Sequence, residues 1–219
     1  MATETEGQPL TFDLSLDDGR FLVKLARQAV EEYLKTQECM RPPAGVSEEL
    51  LKPHGVFVTI NTMKKGKEEL RGCIGYPYPT TPLVEAVIDS AVNAATQDPR
   101  FPPLSVKELD NVVFEVSVLT PPQLVEAKDA RDYPRKIKVG EDGLIIEKGV
   151  YKGLLLPQVP VEWEWDEEEF LCQCCNKAGL PPDYWLVKGT RVYRFQAIVF
   201  EEEKPRGEVT RKTLDGKKP

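Results

Sequence analysis

Apolar residues recur at helical spacing through Leu16, Phe21, Leu22, Leu25, Val30, Tyr33 and Leu34, and Ser15 precedes them with Asp18 three residues on. This pattern predicts a capped amphipathic helix ending near Gln37. Pro42, Pro43 and Gly45 interrupt it, and the β-branched and aromatic run Gly55-Val56-Phe57-Val58-Thr59-Ile60 then reads as a strand. Lys64-Lys65-Gly66-Lys67 supplies a turn, so Leu70-Arg71-Gly72-Cys73-Ile74-Gly75 returns as the second arm of a hairpin. Pro77, Pro79 and Pro82 stop that strand before a second helical pattern from Leu83 to Thr96. Asp98-Pro99-Arg100-Phe101-Pro102-Pro103 must be an irregular loop, followed by a short helix over Val106 to Leu109. Asn111 to Leu119 is almost continuously apolar, broken only by Glu115 and Ser117, as a central strand would be. Further strands are predicted at Lys136–Val139, Leu144–Glu147, Leu154–Leu156 and Arg191–Phe200. A third helix is predicted over Asp166–Ala178, with acids in its first turn and Gly179 closing it. Hairpins and helices without regular βαβ alternation indicate the α+β class, with a mostly antiparallel sheet and packed helices.

Composition narrows the setting. The 219 residues suffice for one well-buried core or two small lobes sharing one, and the expected division is a single domain over residues 10–203. No apolar run approaches the ~20 residues of a membrane span, and the polar, acidic stretch Met1 to Pro9 lacks the character of an export signal. Cys39, Cys73, Cys172, Cys174 and Cys175 form an odd, uneven set, which fits a soluble cytoplasmic protein. The net charge of −7 argues against a general nucleic-acid surface. Residues 204–219, however, carry net +4, leaving −11 for the rest, and read as a basic, disordered C-terminal tail.

The hexapeptide concentrates the chemistry. Strict alternation along a strand would put Arg71, Cys73 and Gly75 on one face and Leu70, Gly72 and Ile74 on the other. A guanidinium beside a thiol favours the thiolate, the nucleophilic and metal-binding form, and can also hold a carboxylate or phosphate. Gly72 and Gly75 are costly in a strand unless the backbone bulges or something approaches closely. The same residues also fit a structural strand with a buried cysteine and a paired arginine, and the hexapeptide alone does not choose between these readings.

Other constellations are incomplete. The single histidine, His54, would sit near Pro77 across the hairpin, roughly 13 Å from Cys73 at about 3.3 Å per residue, so a Cys-His dyad is disfavoured and His54 reads as a loop residue. Cys172-Gln173-Cys174-Cys175 offers two cysteines on one helical face but no second pair, so no metal site and no cofactor are expected. Trp163, Trp165, Tyr184 and Trp185 read as core or lobe-interface anchors. No glycine-rich loop has the spacing of a phosphate or dinucleotide fingerprint.

Taken in order, the hexapeptide, Gly55-Val56-Phe57-Val58-Thr59, Asp98-Pro99-Arg100-Phe101-Pro102-Pro103, Glu115-Val116-Ser117-Val118-Leu119, Gly143-Leu144-Ile145-Ile146, Leu155-Leu156-Pro157-Gln158-Val159 and Lys177-Ala178-Gly179-Leu180 resemble the AMMECR-type domain family, in a prokaryotic or archaeal form. The resemblance spans about residues 15–200. It implies an α+β domain of two unequal lobes sharing a cleft, with the hexapeptide as hallmark and no established biochemical activity. It also implies association with Memo-type or radical-SAM partner proteins. Carried over, it nominates Arg71, Cys73 and Glu115 as catalytic residues and Asp98, Arg100 and Gln158 as substrate-binding residues. Two functions are then expected in parallel: an enzyme component binding an anionic small molecule or modified group around Arg71 and Cys73, or a non-catalytic module for such partners. Glu115 supports a polar site independently, since a carboxylate in an apolar strand needs a partner or a function.

Overall fold

The structure, a computed structural model, describes residues 13–78 and 80–213. Its first helix, α1 (Leu16–Thr36), starts with the anticipated reciprocal cap: the Ser15 side chain accepts from the Asp18 N–H while Asp18 accepts from the Ser15 N–H. It ends where Gln37 turns left-handed at φ 61°. Strands β1 (Gly55–Lys64) and β2 (Lys67–Tyr76) form the expected hairpin, turning through Lys65 and Gly66 at positive φ. Helix α2 (Leu83–Thr96) follows, then a 3-10 turn over Val106–Asn111, and β3 (Val112–Leu119) is buried along its whole length. The second half contains β4 (Gln123–Leu124), β5 (Gly143–Lys148), β6 (Tyr151–Leu155), α3 (Gln158–Glu162), α4 (Glu167–Lys177), β7 (Arg191–Phe195), β8 (Ala197–Glu202) and β9 (Val209–Lys212).

Two antiparallel sheets result, a five-stranded one ordered β2-β1-β3-β8-β9 and a four-stranded one ordered β4-β7-β5-β6. The α+β class and the central place of β3 are as the pattern predicts. Period-two alternation divides the faces of the first sheet. Val56, Val58, Ile60, Phe114, Val116 and Val118 join the core formed with α1 and α2. Phe57, Thr59, Asn61, Glu115 and Ser117 therefore take the opposite face. A second core, including Leu144, Ile146, Phe170, Leu171, Cys174, Cys175 and Trp185, sits between the other sheet and α4.

Several expectations need correcting. The run Arg191–Phe200 is two strands in two sheets, broken at Gln196. There the Gln196 N–H donates to Thr120 Oγ1 and the Thr120 N–H donates to the Gln196 carbonyl, so the chain changes sheet at one paired crossing. Lys136–Val139 is not a strand; it follows a 3-10 turn over Ala130–Arg135 and is held by turn hydrogen bonds, with Asp142 accepting from the Lys138 N–H. The basic segment after residue 203 is not a disordered tail over residues 204–213, because Val209–Lys212 pairs with β8. Residues 214–219 and 10–12 lie outside the described residues. Trp163 is 68% exposed and stacked on Trp165 rather than buried as an anchor.

Candidate functional site

The register of the first hairpin decides which hexapeptide side chains share a face. Ile60 pairs with Gly72 but Asn61 pairs with Leu70, so Arg71 is the extra residue of a β-bulge. The bulge overturns the expected pairing of Arg71 with Cys73. Leu70 and Cys73 come to the same cavity, while Arg71 turns to the loop and 3-10 turn behind, where Nε donates to Glu108 Oε1 at 2.8 Å and Nη2 to the Pro103 carbonyl at 3.3 Å. Glu108 is already engaged with Ser105, and Arg71 and Ser105 together hold its carboxyl low against the effect of burial. The arginine of the hexapeptide is thus a structural tie. The close approach anticipated at its glycines is also structural: a Cβ on Gly72 would lie 2.1 Å from the Ala94 carbonyl of α2.

Along the open face of the first sheet, successive strands place Cys73 opposite Thr59, Thr59 opposite Glu115 and Glu115 opposite Glu201. This row forms one wall of a cavity of about 450 Å³. Leu154, Leu155, Leu156, Val159 and Gln158, from the end of β6 to the start of α3, form the other, and Phe57, Asn61, Glu68, Leu70, Arg100, Glu162, Lys177 and Lys212 also line the cavity. Of the six nominated residues, Cys73, Arg100, Glu115 and Gln158 converge here, whereas Arg71 and Asp98 do not line it. Another open depression, about 670 Å³, runs beside Leu124–Lys128 and contains none of them.

Asp98 lies behind Cys73 and is only 4% exposed. It accepts from the Cys73 N–H at 2.9 Å and from the Arg100 backbone and guanidinium, the closest at 2.6 Å. The Arg100 guanidinium, helped by the backbone donors, holds the Asp98 carboxyl at about 2. Asp98 therefore pins the loop to the outer edge of β2 and aims Arg100.

Cys73 accepts a hydrogen bond from Thr59 Oγ1 at 3.3 Å. Burial pushes its thiol up, with Glu115 and Asp98 adding to the effect and Thr59 and Arg100 opposing it. The expected guanidinium-activated thiolate is therefore not what the geometry builds. His54, half-buried, lies with Nε2 3.7 Å from Glu49 Oε1 and outside this cavity.

Glu115 is the buried centre of the site. Oε2 accepts from Lys212 Nζ at 2.9 Å, while Oε1 accepts from Gln158 Nε2 at 3.2 Å and from Ser117 Oγ at 3.4 Å. Burial raises its carboxyl, and Lys212 opposes that shift. Lys212 also reaches Glu201 Oε2 at 2.9 Å. Burial alone would lower this ammonium, but the two carboxylates raise it well above the usual lysine range. Lys212 was missed because it falls in the segment read as a tail. The signal was a β-branched pair, Val209-Thr210, followed by alternating positions that put Thr210 and Lys212 on one side. Elsewhere, Cys174 and Cys175 lie in the second core, and burial drives Cys175 up to about 11 and Cys174 higher. Among the described residues, no group of three or more His, Cys, Asp or Glu side chains is placed to hold a metal ion.

Comparison with known proteins gives a consistent picture. The family described as AMMECR1 matches residues 23–200. A Pyrococcus horikoshii protein, PH0010, is 58% identical over 206 residues, which is 94% of this chain and all of that one. A Thermococcus kodakarensis protein is 60% identical over 197 residues, covering 90% of this chain and 96% of its own. A Methanocaldococcus jannaschii protein is 51% identical over 201 residues, 92% and 98% of the two chains. The crystal structure titled as uncharacterized protein PH0010 matches with a TM-score of 0.89 over 92% of this chain and 100% of that one.

Proposed function

The chain belongs to the AMMECR1 family, whose biochemical function is not established, and from that premise we propose that it is an enzyme component that binds an anionic small molecule or modified group in the cavity beside Cys73. The observation that carries this reading is convergence. Polar side chains from β2, β3, β9, the loop after α2 and the start of α3 meet at one cavity. The anion is taken by Arg100, whose side chain is 48% exposed although paired with Asp98, and by Lys177, which has no ion-pair partner among the described residues. Arg71, first expected in this role, is replaced by these two. Cys73 would meet the ligand as a neutral thiol, with Glu115 as the nearby carboxylate able to exchange a proton.

A second reading draws support from that thiol. A cysteine whose thiol is pushed toward its protonated form and has Thr59 as its one hydrogen-bond partner among the described residues suits a binding module whose chemistry comes from another protein, and Memo-type or radical-SAM proteins remain the proposed partners. A cytoplasmic setting is part of the same proposal. It is supported by five cysteines that are all free; no helix among the described residues is long and apolar enough to cross a membrane.

The test is titration of the isotope-labelled full chain with hexanoate. The reading expects amide shifts at residues 73, 100 and 158 that weaken in both Arg100→Ala and Lys177→Ala. Hexanoate shifts that persist unchanged in both variants would sink it.

A further inference from the structure

The part of the cavity around Lys212 carries more carboxylates than cations, two of those carboxylates, Glu68 and Glu162, on exposed residues. Glu68, Glu115 and Glu162 line it and Glu201 flanks it, yet a single ammonium, Lys212, stands among them, already shared between Glu115 and Glu201. Glu68 accepts from Asn61 Nδ2 at 2.8 Å, and Glu162 has neither a hydrogen bond nor an ion pair among the described residues. Partial burial raises the Glu162 carboxyl; Lys212 opposes this while Glu68 and Glu201 add repulsion.

A separate observation concerns Gln158. It is only 8% exposed, and its Nε2 is committed to Glu115, which fixes the orientation of the amide. Its carbonyl oxygen Oε1 is buried without a hydrogen-bond partner. An unmade hydrogen bond at such an atom costs about 1–3 kcal/mol, so a ligand donor there has a large advantage. The remaining demand in this part of the cavity is therefore for donors and for positive charge together. An anion meets repulsion, a neutral hydroxyl leaves the charge unanswered, and a metal ion lacks a ligand cluster among the described residues. A protonated primary amine has both the charge and three N–H donors.

The same cavity is lined by the cationic Arg100 and Lys177 and by hydrocarbon from Phe57, Leu70, Leu154, Leu156 and Val159. We propose that the cavity binds a zwitterion: an ammonium group among Glu115, Glu162 and Gln158, an aliphatic spacer along the apolar wall, and an anionic group at Arg100 and Lys177. The anionic half rests on the function proposed above; the ammonium half rests on Glu162 and Gln158 alone. The ligand class is thus an aliphatic amino acid or a compound with the same charge separation.

The experiment compares dissociation constants on the full chain for 6-aminohexanoate, hexanoate, N-acetyl-6-aminohexanoate and hexylamine, with 4-aminobutanoate and 8-aminooctanoate as length controls. One charge-assisted buried hydrogen bond corresponds to about tenfold in affinity. At least one of the amino acids is therefore expected to bind about tenfold more tightly than hexanoate and than its own N-acetyl form. Glu162→Gln is expected to erase that margin, so that the amino acids bind no more tightly than hexanoate does to the same variant, and Gln158→Leu, checked for folding by its amide spectrum, should reduce it. Equal binding of the amino acids and hexanoate overturns the ammonium site and leaves the anion reading standing. Binding of hexylamine with none of hexanoate supports the ammonium site and removes the anion reading. Binding of no probe up to its solubility limit overturns both.

Discussion

The two walls of the cavity are made of different materials. The five-stranded sheet contributes Cys73, Thr59 and Glu115 from one row of paired residues, Asn61 two positions along β1 from Thr59 and, through β9, Lys212. The facing wall, from the end of β6 and the short helix α3, contributes Leu154, Leu155, Leu156 and Val159, with Gln158 as its one buried polar group. Polar chemistry is thus placed mainly on the sheet, and the facing wall supplies most of the apolar surface together with Gln158 and Glu162. The charged wall is expensive to maintain, because each buried carboxylate depends on a named partner, whereas the apolar wall depends only on area.

The comparison predicts a graded set of effects. The largest is expected from Lys212→Met, which leaves Glu115 and Glu201 without their shared cation; breaking a buried pair costs about 3–5 kcal/mol, and a value near 3 is expected because Lys212 is 27% exposed. Urea unfolding would measure this, and a loss below about 1 kcal/mol would place the pair in the weak class of surface bridges. On the other wall, Leu156→Ala should cost about 2 kcal/mol, the low end for a buried leucine, because the side chain already borders a cavity. A cost above that of Lys212→Met would reverse the proposed division between the walls.

A smaller effect is expected from acid. The Asp98 carboxyl, held at about 2 against an ordinary 3.8, stabilises the fold fully above its unfolded value, and that contribution is lost as pH falls from about 4 toward about 2. The stability difference between the parent and Asp98→Asn should be constant at neutral pH and shrink across that window. A difference independent of pH would show that the loop is not held by the ionised carboxylate. Smallest is the consequence of burial at Cys73. Cys73→Ser should change stability by about 1 kcal/mol or less, since Thr59 can donate to either atom. In the parent, alkylation of Cys73 should be slower at neutral pH than that of a free thiol, with its midpoint displaced upward. Labelling faster than a model thiol would restore an activated thiolate and shift the weight decisively toward nucleophilic catalysis.

Much of this was readable from periodicity. The spacing of apolar residues located α1, the first hairpin, α2 and β3, and the isolated Glu115 in an apolar strand pointed correctly to a buried polar centre. Family resemblance then named four residues that line the cavity. Arg71 lies outside the cavity because one inserted residue in β2 reverses the facing of everything before it, and no local preference marks a bulge unambiguously. Asp98 lies outside it for another reason: a loop aspartate looks the same whether it faces a cavity or a backbone amide.

What the sequence alone determined is the class of the fold, the order of most elements and the residue types available for chemistry, because these follow from local period and composition. Tertiary structure decided the rest through partners distant in the chain. The switch of sheets at Gln196 is set by pairing with Thr120, and the strand in the basic C-terminal segment exists because β8 offers it an edge. Lys212 reaches a carboxylate 97 positions earlier for the same reason. Hydrophobic pattern fixes which face of a strand is buried; only the assembled sheets fix which charges meet there.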